Sequence, residues 1–207
     1  NKDLENISVL HGAIGANALT IMTLVERGDK VVSVLPTYQQ LYSIPESIGA
    51  DVSILKLKPE NRFLPDLDEL RNLVTKETKL ICINNPNNPT GAVMDETMLK
   101  EIVQIAREAD AYILSDEVYR GLNHSGNSFS PSIADLYEKG ISTGSMSKTY
   151  SMAGIRLGWA CGPKDFVKAV SKQRDYHVIS CGMIDDKLAT IALENKDKII
   201  DRNLKIV

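Results

Sequence analysis

Residues 79–116, KLICINNPNNPTGAVMDETMLKEIVQIAREADAYILSD, predict a strand, a helix and a second strand in succession. The runs at 79–84 and 111–116 are short, apolar and rich in β-branched residues, which is typical of buried strands. Between them, residues 95–110 carry apolar side chains at helical spacing, with Asp95 in the N-cap position. Elements of these lengths in this order favour a βαβ unit in a parallel sheet.

The same alternation extends along the chain in both directions. Five further strand-like runs lie at 7–10, 30–35, 51–57, 140–146 and 157–162. Amphipathic runs of helical length separate most of them, and helices without strands follow the last one. No internal repeat, low-complexity tract or Gly/Ser linker interrupts the pattern. We therefore predict an α/β protein, a three-layer α/β/α fold with a mostly parallel sheet.

Composition limits the classes of function. The chain has 207 residues, 43% hydrophobic and 25% charged, as in an ordinary globular protein. Its net charge of −3 argues against partners such as nucleic acid or an anionic membrane, and no apolar run is long enough to span a bilayer. Cys82, Cys161 and Cys181 are too scattered for a disulfide framework or a metal site, which favours free thiols in the cytoplasm.

Chemically unusual residues follow five of the predicted strands. They occupy the segments 11–15, 36–38, 84–91, 116–119 and 145–148. In open α/β sheets, ligands bind beyond the carboxyl ends of the strands. We therefore expect these five segments to form one binding site at an edge of the sheet.

Two of the features point to a phosphate group. The turn HGAIGANAL (11–19) opens a helix with small residues, and the free amides of such a turn favour an anion. The turn has neither the GxGxxG pattern nor a following GKS or GKT, which disfavours a dinucleotide or a nucleoside triphosphate. Arg156 offers a planar fork of donors that suits a pair of phosphate oxygens. Alone, either feature is common in proteins without such a site.

The segment STGSMSKTYSMAGIRLG (142–158) places Lys148 among small and hydroxyl-bearing residues, close in sequence to Arg156. A confined, neutral lysine is a nucleophile toward aldehydes. Asp116 ends a strand and could pair with a basic ring nitrogen, although a helix cap is an equal alternative for a carboxylate there. An aldehyde for Lys148, a phosphate for Arg156 and a ring nitrogen for Asp116 are the parts of one ligand, pyridoxal 5′-phosphate (PLP).

The motifs resemble those of the fold-type I PLP-dependent aminotransferases, in the class I/II group that includes aspartate aminotransferase. The resemblance is carried by NNPNNPTG (84–91), SDEVY (115–119) and SMSKTYSMAGIRLGW (145–159), which stand in the family's order. It covers nearly the whole chain. It implies that residues 1–207 are the PLP-binding large domain, a fragment without the amino-terminal arm and most of the carboxy-terminal small domain.

The resemblance also implies a role for each site residue. Lys148 forms a Schiff base with the cofactor, Asp116 pairs with its ring nitrogen, Asn88 and Tyr119 bind its phenolic oxygen, and Tyr38 stacks on the ring. The catalytic residues would be Lys148, Asp116 and Tyr119. The phosphate site implied by the resemblance comprises a turn and two side chains: Gly12, Ala13, Ile14, Ser145 and Arg156. Ile14 can contribute only its backbone amide.

The implied activity is transfer of an amino group from an amino acid to a 2-oxo acid in a cytoplasmic homodimer. Lys148, once freed from the cofactor, would act as the general base. Two alternatives use the same fold and the same cofactor residues. One is a PLP-dependent C–S β-lyase, and the other is the PLP-binding sensor domain of a transcriptional regulator. The sequence does not identify the amino acid or the oxo acid.

Overall fold

The structure is a computed structural model that describes residues 2–124 and 129–207. Its strands are β1 (Ile7–Leu10), β2 (Lys30–Leu35), β3 (Asp51–Lys56), β4 (Thr78–Asn84), β5 (Tyr112–Asp116), β6 (Gly140–Ser145) and β7 (Gly158–Cys161). Its α-helices are α1 (Gly12–Leu24), α2 (Gln40–Ile48), α3 (Leu67–Leu73), α4 (Glu96–Ala109), α5 (Ile133–Leu136), α6 (Lys164–His177), α7 (Met183–Glu194) and α8 (Lys196–Leu204). Every predicted strand coincides with an observed strand to within one residue at each end.

The strands form one sheet in the order β1-β7-β6-β5-β4-β2-β3. Strands β2 to β6 pair in parallel, whereas β7 runs antiparallel to both of its neighbours, β6 and β1. The carboxyl ends of β1, β2, β4, β5 and β6 therefore meet at one edge of the sheet, and β7 begins there. The predicted mostly parallel sheet is confirmed.

Apolar cores cover both faces of this sheet. Because side chains alternate along a strand, Ile81 and Ile113 face a core shared with α3, α4 and α5. Their neighbours Leu80 and Leu114 face the opposite core, which is shared with α1, α2 and α6. The predicted three-layer α/β/α arrangement is confirmed. Asp95 caps α4 as predicted, since its carboxylate accepts a hydrogen bond from the Met98 amide at 2.8 Å.

Helices α7 and α8 hold the turn that follows β6. Tyr150 and Leu157 pack against Ala192 and Ile200 in a third apolar cluster. The buried side chain of Asn203 donates a hydrogen bond to the carbonyl oxygen of Thr149 at 2.8 Å. The backbone next to Lys148 is thereby fixed to a helix more than fifty residues further along the chain.

Neither a membrane span nor a metal cluster is present within residues 2–124 and 129–207. No helix there combines the length and the apolarity needed to cross a bilayer. No group of three or more His, Cys, Asp or Glu side chains is placed to hold a metal ion in the same residues. The three cysteines are free thiols, and burial raises the pKa of Cys82.

We predict that substitution of Gly158, the first residue of β7, strongly lowers the stability of the fold. A Cβ atom on Gly158 would lie 2.4 Å from the carbonyl carbon of Gly12 and 2.6 Å from the carbonyl oxygen of Gly144. We expect Gly158→Ala to lower the free energy of unfolding by about 2 kcal/mol or more, because these backbone atoms cannot move aside. Gly154→Ala is the matched control, since no atom lies within 4 Å of its Cβ position.

Urea denaturation of both variants measures this effect. The Gly154→Ala variant should stay within about 0.5 kcal/mol of the parent protein. Equal stabilities for the two variants would contradict the close contact between β7 and the start of α1.

Candidate active site

The predicted site residues surround one pocket at the sheet edge where the parallel strands end. Nine of them line it: Ala13, Ile14, Tyr38, Asn88, Asp116, Tyr119, Ser145, Lys148 and Arg156. Gly12 borders the pocket, because a Cβ atom on this residue would lie 3.0 Å from Nη2 of Arg156. The structure thus brings together segments that are far apart in the sequence. The role of each residue remains a prediction.

Asp116 provides a buried carboxylate in the pocket. Its Oδ2 accepts a hydrogen bond from Nδ2 of Asn17 at 2.7 Å, and its Oδ1 accepts one from the amide of Val118 at 3.1 Å. Burial raises the pKa of Asp116, and these two hydrogen bonds oppose that shift. Residues 118–121 form a turn, so the helix-cap alternative for Asp116 is wrong.

Asn17 is a residue of the site that the sequence motifs do not indicate. It lies on α1 with no exposed surface, and its Oδ1 accepts a hydrogen bond from the hydroxyl of Thr143 at 2.6 Å. It therefore joins α1 to β5 and β6 beneath the pocket. The available indication was an amide side chain within the mostly apolar run GANALTIMTL, since a buried amide needs partners.

Asn84 is a second residue whose role the motifs left unassigned. It ends β4, is 1% exposed and lines the pocket. Its Nδ2 donates to the carbonyl oxygen of Asp116 at 2.8 Å, and its Oδ1 accepts from the amide of Asn88 at 2.6 Å. Asn84 therefore fixes the backbone from which Asn88 projects.

Hydrogen-bond donors are concentrated on another side of the pocket, where α1 begins. Gly12 adopts a φ of 67°, which favours glycine, at the first position of α1. Arg156 donates from Nη1 to the carbonyl oxygen of Ala153 at 2.6 Å and to Oγ of Ser147 at 3.5 Å. The amide of Ser147 donates to Oγ of Ser145 at 3.2 Å. A guanidinium, two hydroxyls and a helix N-terminus suit a phosphate.

Lys148 corrects one expectation. The sequence predicts a confined lysine, whereas Lys148 is exposed and lines the pocket. The physical reason is that Lys148 lies in the turn after β6, where α7 and α8 cover Thr149 and Tyr150 instead. Lys148 nevertheless lines the same pocket as Asp116 and Tyr119. Burial, and then the Asp116 carboxylate, raise the pKa of Tyr119, which keeps its hydroxyl protonated.

These residues fit pyridoxal 5′-phosphate. The amine of Lys148 suits the aldehyde group of the cofactor. The guanidinium of Arg156, together with the N-terminus of α1 that it approaches, suits the phosphate. Among the described residues, each oxygen of Asp116 accepts one hydrogen bond, which leaves lone pairs for a protonated ring nitrogen. The close approach of Gly12 and Arg156 forms a cradle that a Cβ atom would fill. The fold and this set of side chains are those expected of a PLP-binding protein of the α/β class.

The family is fixed by comparison with known proteins. The sequence model for the family "Aminotransferase class I and II" matches residues 1–203. The chain belongs to this family, whose cofactor is PLP. Its sequence is 36% identical over 174 residues to an aspartate aminotransferase of Pyrococcus horikoshii, covering 84% of the chain and 44% of that protein. It is 33% identical over 198 residues to the capreomycidine synthase of Streptomyces vinaceus, covering 96% of the chain and 51% of that protein.

Solved structures agree with this assignment. A PLP-dependent aminotransferase from Streptococcus suis superposes with a TM-score of 0.93 at 51% identity, over 96% of this chain and 52% of that one. A mutant aspartate aminotransferase of Thermus thermophilus gives a TM-score of 0.93 at 29% identity, over 99% of this chain and 57% of that one. The chain thus spans about half the length of the curated relatives it matches.

A second buried carboxylate lies beside the pocket. Glu117 follows Asp116, is 8% exposed, and accepts a hydrogen bond from the amide of Ile133 at 2.9 Å. Burial raises the pKa of Glu117 to about 7, against the opposing effects of that hydrogen bond and of Arg120, whose Nε lies 3.9 Å from the carboxylate. Glu117 is therefore protonated in the folded protein at pH values where it would ionise in the unfolded chain.

This difference predicts a pH dependence of stability. The stabilising effect of protonated Glu117 is complete below its usual pKa of 4.5 and is lost as the pH rises to about 7. Glu117→Gln stays neutral, so we expect its free energy of unfolding to rise by about 3 kcal/mol relative to the parent over that interval. Denaturation at a series of pH values tests this. A difference that does not change with pH, or an equal change in the exposed control Glu194→Gln, would contradict it.

Proposed function

We propose that the chain is the cofactor-binding part of an aminotransferase that moves an amino group from an amino acid to a 2-oxo acid. The observation that carries this proposal is that Lys148, Asp116 and Arg156 line one pocket in a member of the class I and II aminotransferase family. Relatives named aspartate aminotransferase and N-succinyldiaminopimelate aminotransferase support amino transfer. None of these names supports the alternatives of a C–S β-lyase or a regulator's sensor domain.

The proposed contacts with the cofactor follow from the chemistry of the pocket. Lys148 would hold the cofactor covalently through its amine, and Asp116 would keep a proton on the ring nitrogen. Asn88 and Tyr119 would donate to the phenolic oxygen, while Tyr38 would stack on the ring. The phosphate would be bound by Gly12, Ala13, Ile14, Ser145 and Arg156, with Ser147 as an additional hydroxyl.

When bound, PLP supplies an electron sink that stabilises negative charge on the α-carbon of the amino acid. The protein supplies the proton transfers. The amine of Lys148, exposed and carried on a fixed turn, would take the proton from the α-carbon as a general base and would deliver it to the cofactor's carbon as a general acid. Tyr119 keeps its proton because its pKa is raised, so its hydroxyl remains available as a donor.

We also propose that residues 1–207 are the large domain of a cytoplasmic homodimeric enzyme. An interface with a second copy is supported by apolar side chains exposed on α7, among them Met183 at 88% and Ile184 at 77%. A reducing compartment is supported by the three free thiols, although they form no site. The activity, the substrates and the dimer belong to the whole protein.

A second candidate reaction has one specific observation in its favour. The relative that covers 96% of this chain is named for making capreomycidine rather than for amino transfer. The same cofactor residues would then serve a reaction that needs no 2-oxo acid acceptor. Measuring amino-acid consumption with and without added 2-oxo acids separates the two reactions, because only amino transfer requires the acceptor for repeated turnover.

Activity and covalent binding of the cofactor should both depend on Lys148. We expect the full-length protein to change its visible absorbance with at least one amino acid in a screen of donors and to recover it with a 2-oxo acid. Lys148→Ala should lose both the visible band and turnover, by about 10⁴-fold or more, because the amine has no substitute. Lys172→Ala, an exposed change on α6, is the control. A Lys148→Ala protein with an unchanged spectrum would contradict the assignment.

Arg156 should contribute to cofactor binding through the phosphate group alone. We expect Arg156→Ala to raise the dissociation constant for PLP by about tenfold or more, because a charge-assisted pair of hydrogen bonds to the phosphate is lost. The same variant should bind pyridoxal, which has no phosphate, about as well as the parent protein does. Fluorescence titration with both ligands measures the two constants. Equal losses for PLP and pyridoxal would place Arg156 outside the phosphate site.

A further inference from the structure

The pairing of β5 with β6 places two polar side chains side by side beneath the pocket. Asp116 and Thr143 are partners in the parallel register, so their side chains project from the same face of the sheet. Helix α1 crosses this face, and Asn17 lies over both residues. Asp116 is 2% exposed, and Asn17 and Thr143 have no exposed surface. This trio is therefore closed to solvent.

The orientation of the Asn17 amide is determined by its partners. The Thr143 hydroxyl donates to its Oδ1 at 2.6 Å, and its Nδ2 donates to Oδ2 of Asp116 at 2.7 Å. The reversed amide would place an oxygen against the carboxylate oxygen, which is repulsive. Oε1 of Gln40 is a second, more distant acceptor for Nδ2, at 3.5 Å.

The consequence for Asp116 is both geometric and electrostatic. Asn17 holds one carboxylate oxygen and the Val118 amide holds the other, so the plane of the carboxylate is fixed. Both partners donate hydrogen bonds, and donors favour the ionised carboxylate over the protonated acid in a buried site. Asp116 also lines the pocket, so a group bound there can approach it.

We propose that Asn17, held in place by Thr143, is a positioning residue that keeps the Asp116 carboxylate ionised and aimed at the ring nitrogen of the cofactor. This inference rests on the proposed binding of PLP. Asn17 acts only through Asp116, and its effect should therefore depend on whether the cofactor has a ring nitrogen. That dependence separates positioning from a general contribution of Asn17 to folding.

The test compares two cofactors in the full-length protein. One is PLP, and the other is its 1-deaza analogue, in which a C–H group replaces the ring nitrogen. We expect Asn17→Leu, of similar size but without an amide, to raise the dissociation constant for PLP about tenfold and that for the analogue less than about threefold. Thr143→Val should show the same pattern as Asn17→Leu, with smaller changes in the two dissociation constants. It replaces Asn17→Leu in the test if that variant does not fold.

A second measurement reports directly on protonation of the ring nitrogen of the cofactor. With ¹⁵N-labelled PLP, the ring-nitrogen resonance of Asn17→Leu should move toward that of a neutral pyridine, because a less stabilised carboxylate takes the proton from the ring. Thr20→Val is the matched control. Thr20 is also fully buried on α1, but its hydroxyl has no hydrogen-bond partner within the described residues. This variant should change neither the dissociation constants nor the resonance.

The outcomes separate the two proposals. Equal weakening of PLP and of the deaza analogue by Asn17→Leu, or no weakening of either, would overturn the positioning role while leaving the cofactor assignment intact. A parent protein that binds PLP no better than the analogue would also overturn it, because Asp116 would then not engage the ring nitrogen. A parent protein that binds neither ligand would overturn the proposed function itself and this inference with it.

Discussion

A buried carboxylate must be surrounded by donors if it is to remain ionised, and Asp116 has a donor to each of its carboxylate oxygens. The residue ends β5 in the middle of the sheet, where apolar cores lie on both faces. Asn17 and the Val118 amide donate to its oxygens, and Asn84 donates to its carbonyl group. The hydrogen bonds around Asp116 therefore also fasten α1 and β4 to β5.

The direction of β7 explains how the proposed phosphate site can lie beside that carboxylate. If β7 ran parallel to β6, its first residues would lie at the far edge of the sheet, away from the start of α1. Because β7 is antiparallel to β6 and β1, Gly158 instead contacts Gly12, and Arg156 reaches the first turn of α1. The absence of side chains at both glycines permits this approach. One reversed strand thus joins the anion site to the carboxyl ends of the parallel strands.

The local sequence was sufficient to predict the strands and most of the residues that line the pocket. Apolar, β-branched runs predicted every strand to within one residue, and motifs that follow the strands supplied the pocket residues. Asn17 could not be found this way, because its partners Asp116 and Thr143 lie 99 and 126 residues away in the chain. That contact depends on where α1 crosses the sheet. The exposure of Lys148 also escaped prediction, since small neighbours in sequence do not determine which helices cover a turn.

The contrast between Asp116 and Lys148 is consistent with the different roles proposed for the two side chains. A group that keeps one proton on one atom benefits from a rigid setting, and Asp116 is buried and hydrogen-bonded on both oxygens. A group that must bond the cofactor and then transfer a proton has to move between two positions. Lys148 is exposed, while the Asn203 hydrogen bond to Thr149 fixes the backbone beside it. The fold therefore holds the backbone beside Lys148 in place, while the side chain itself is exposed and lines the pocket.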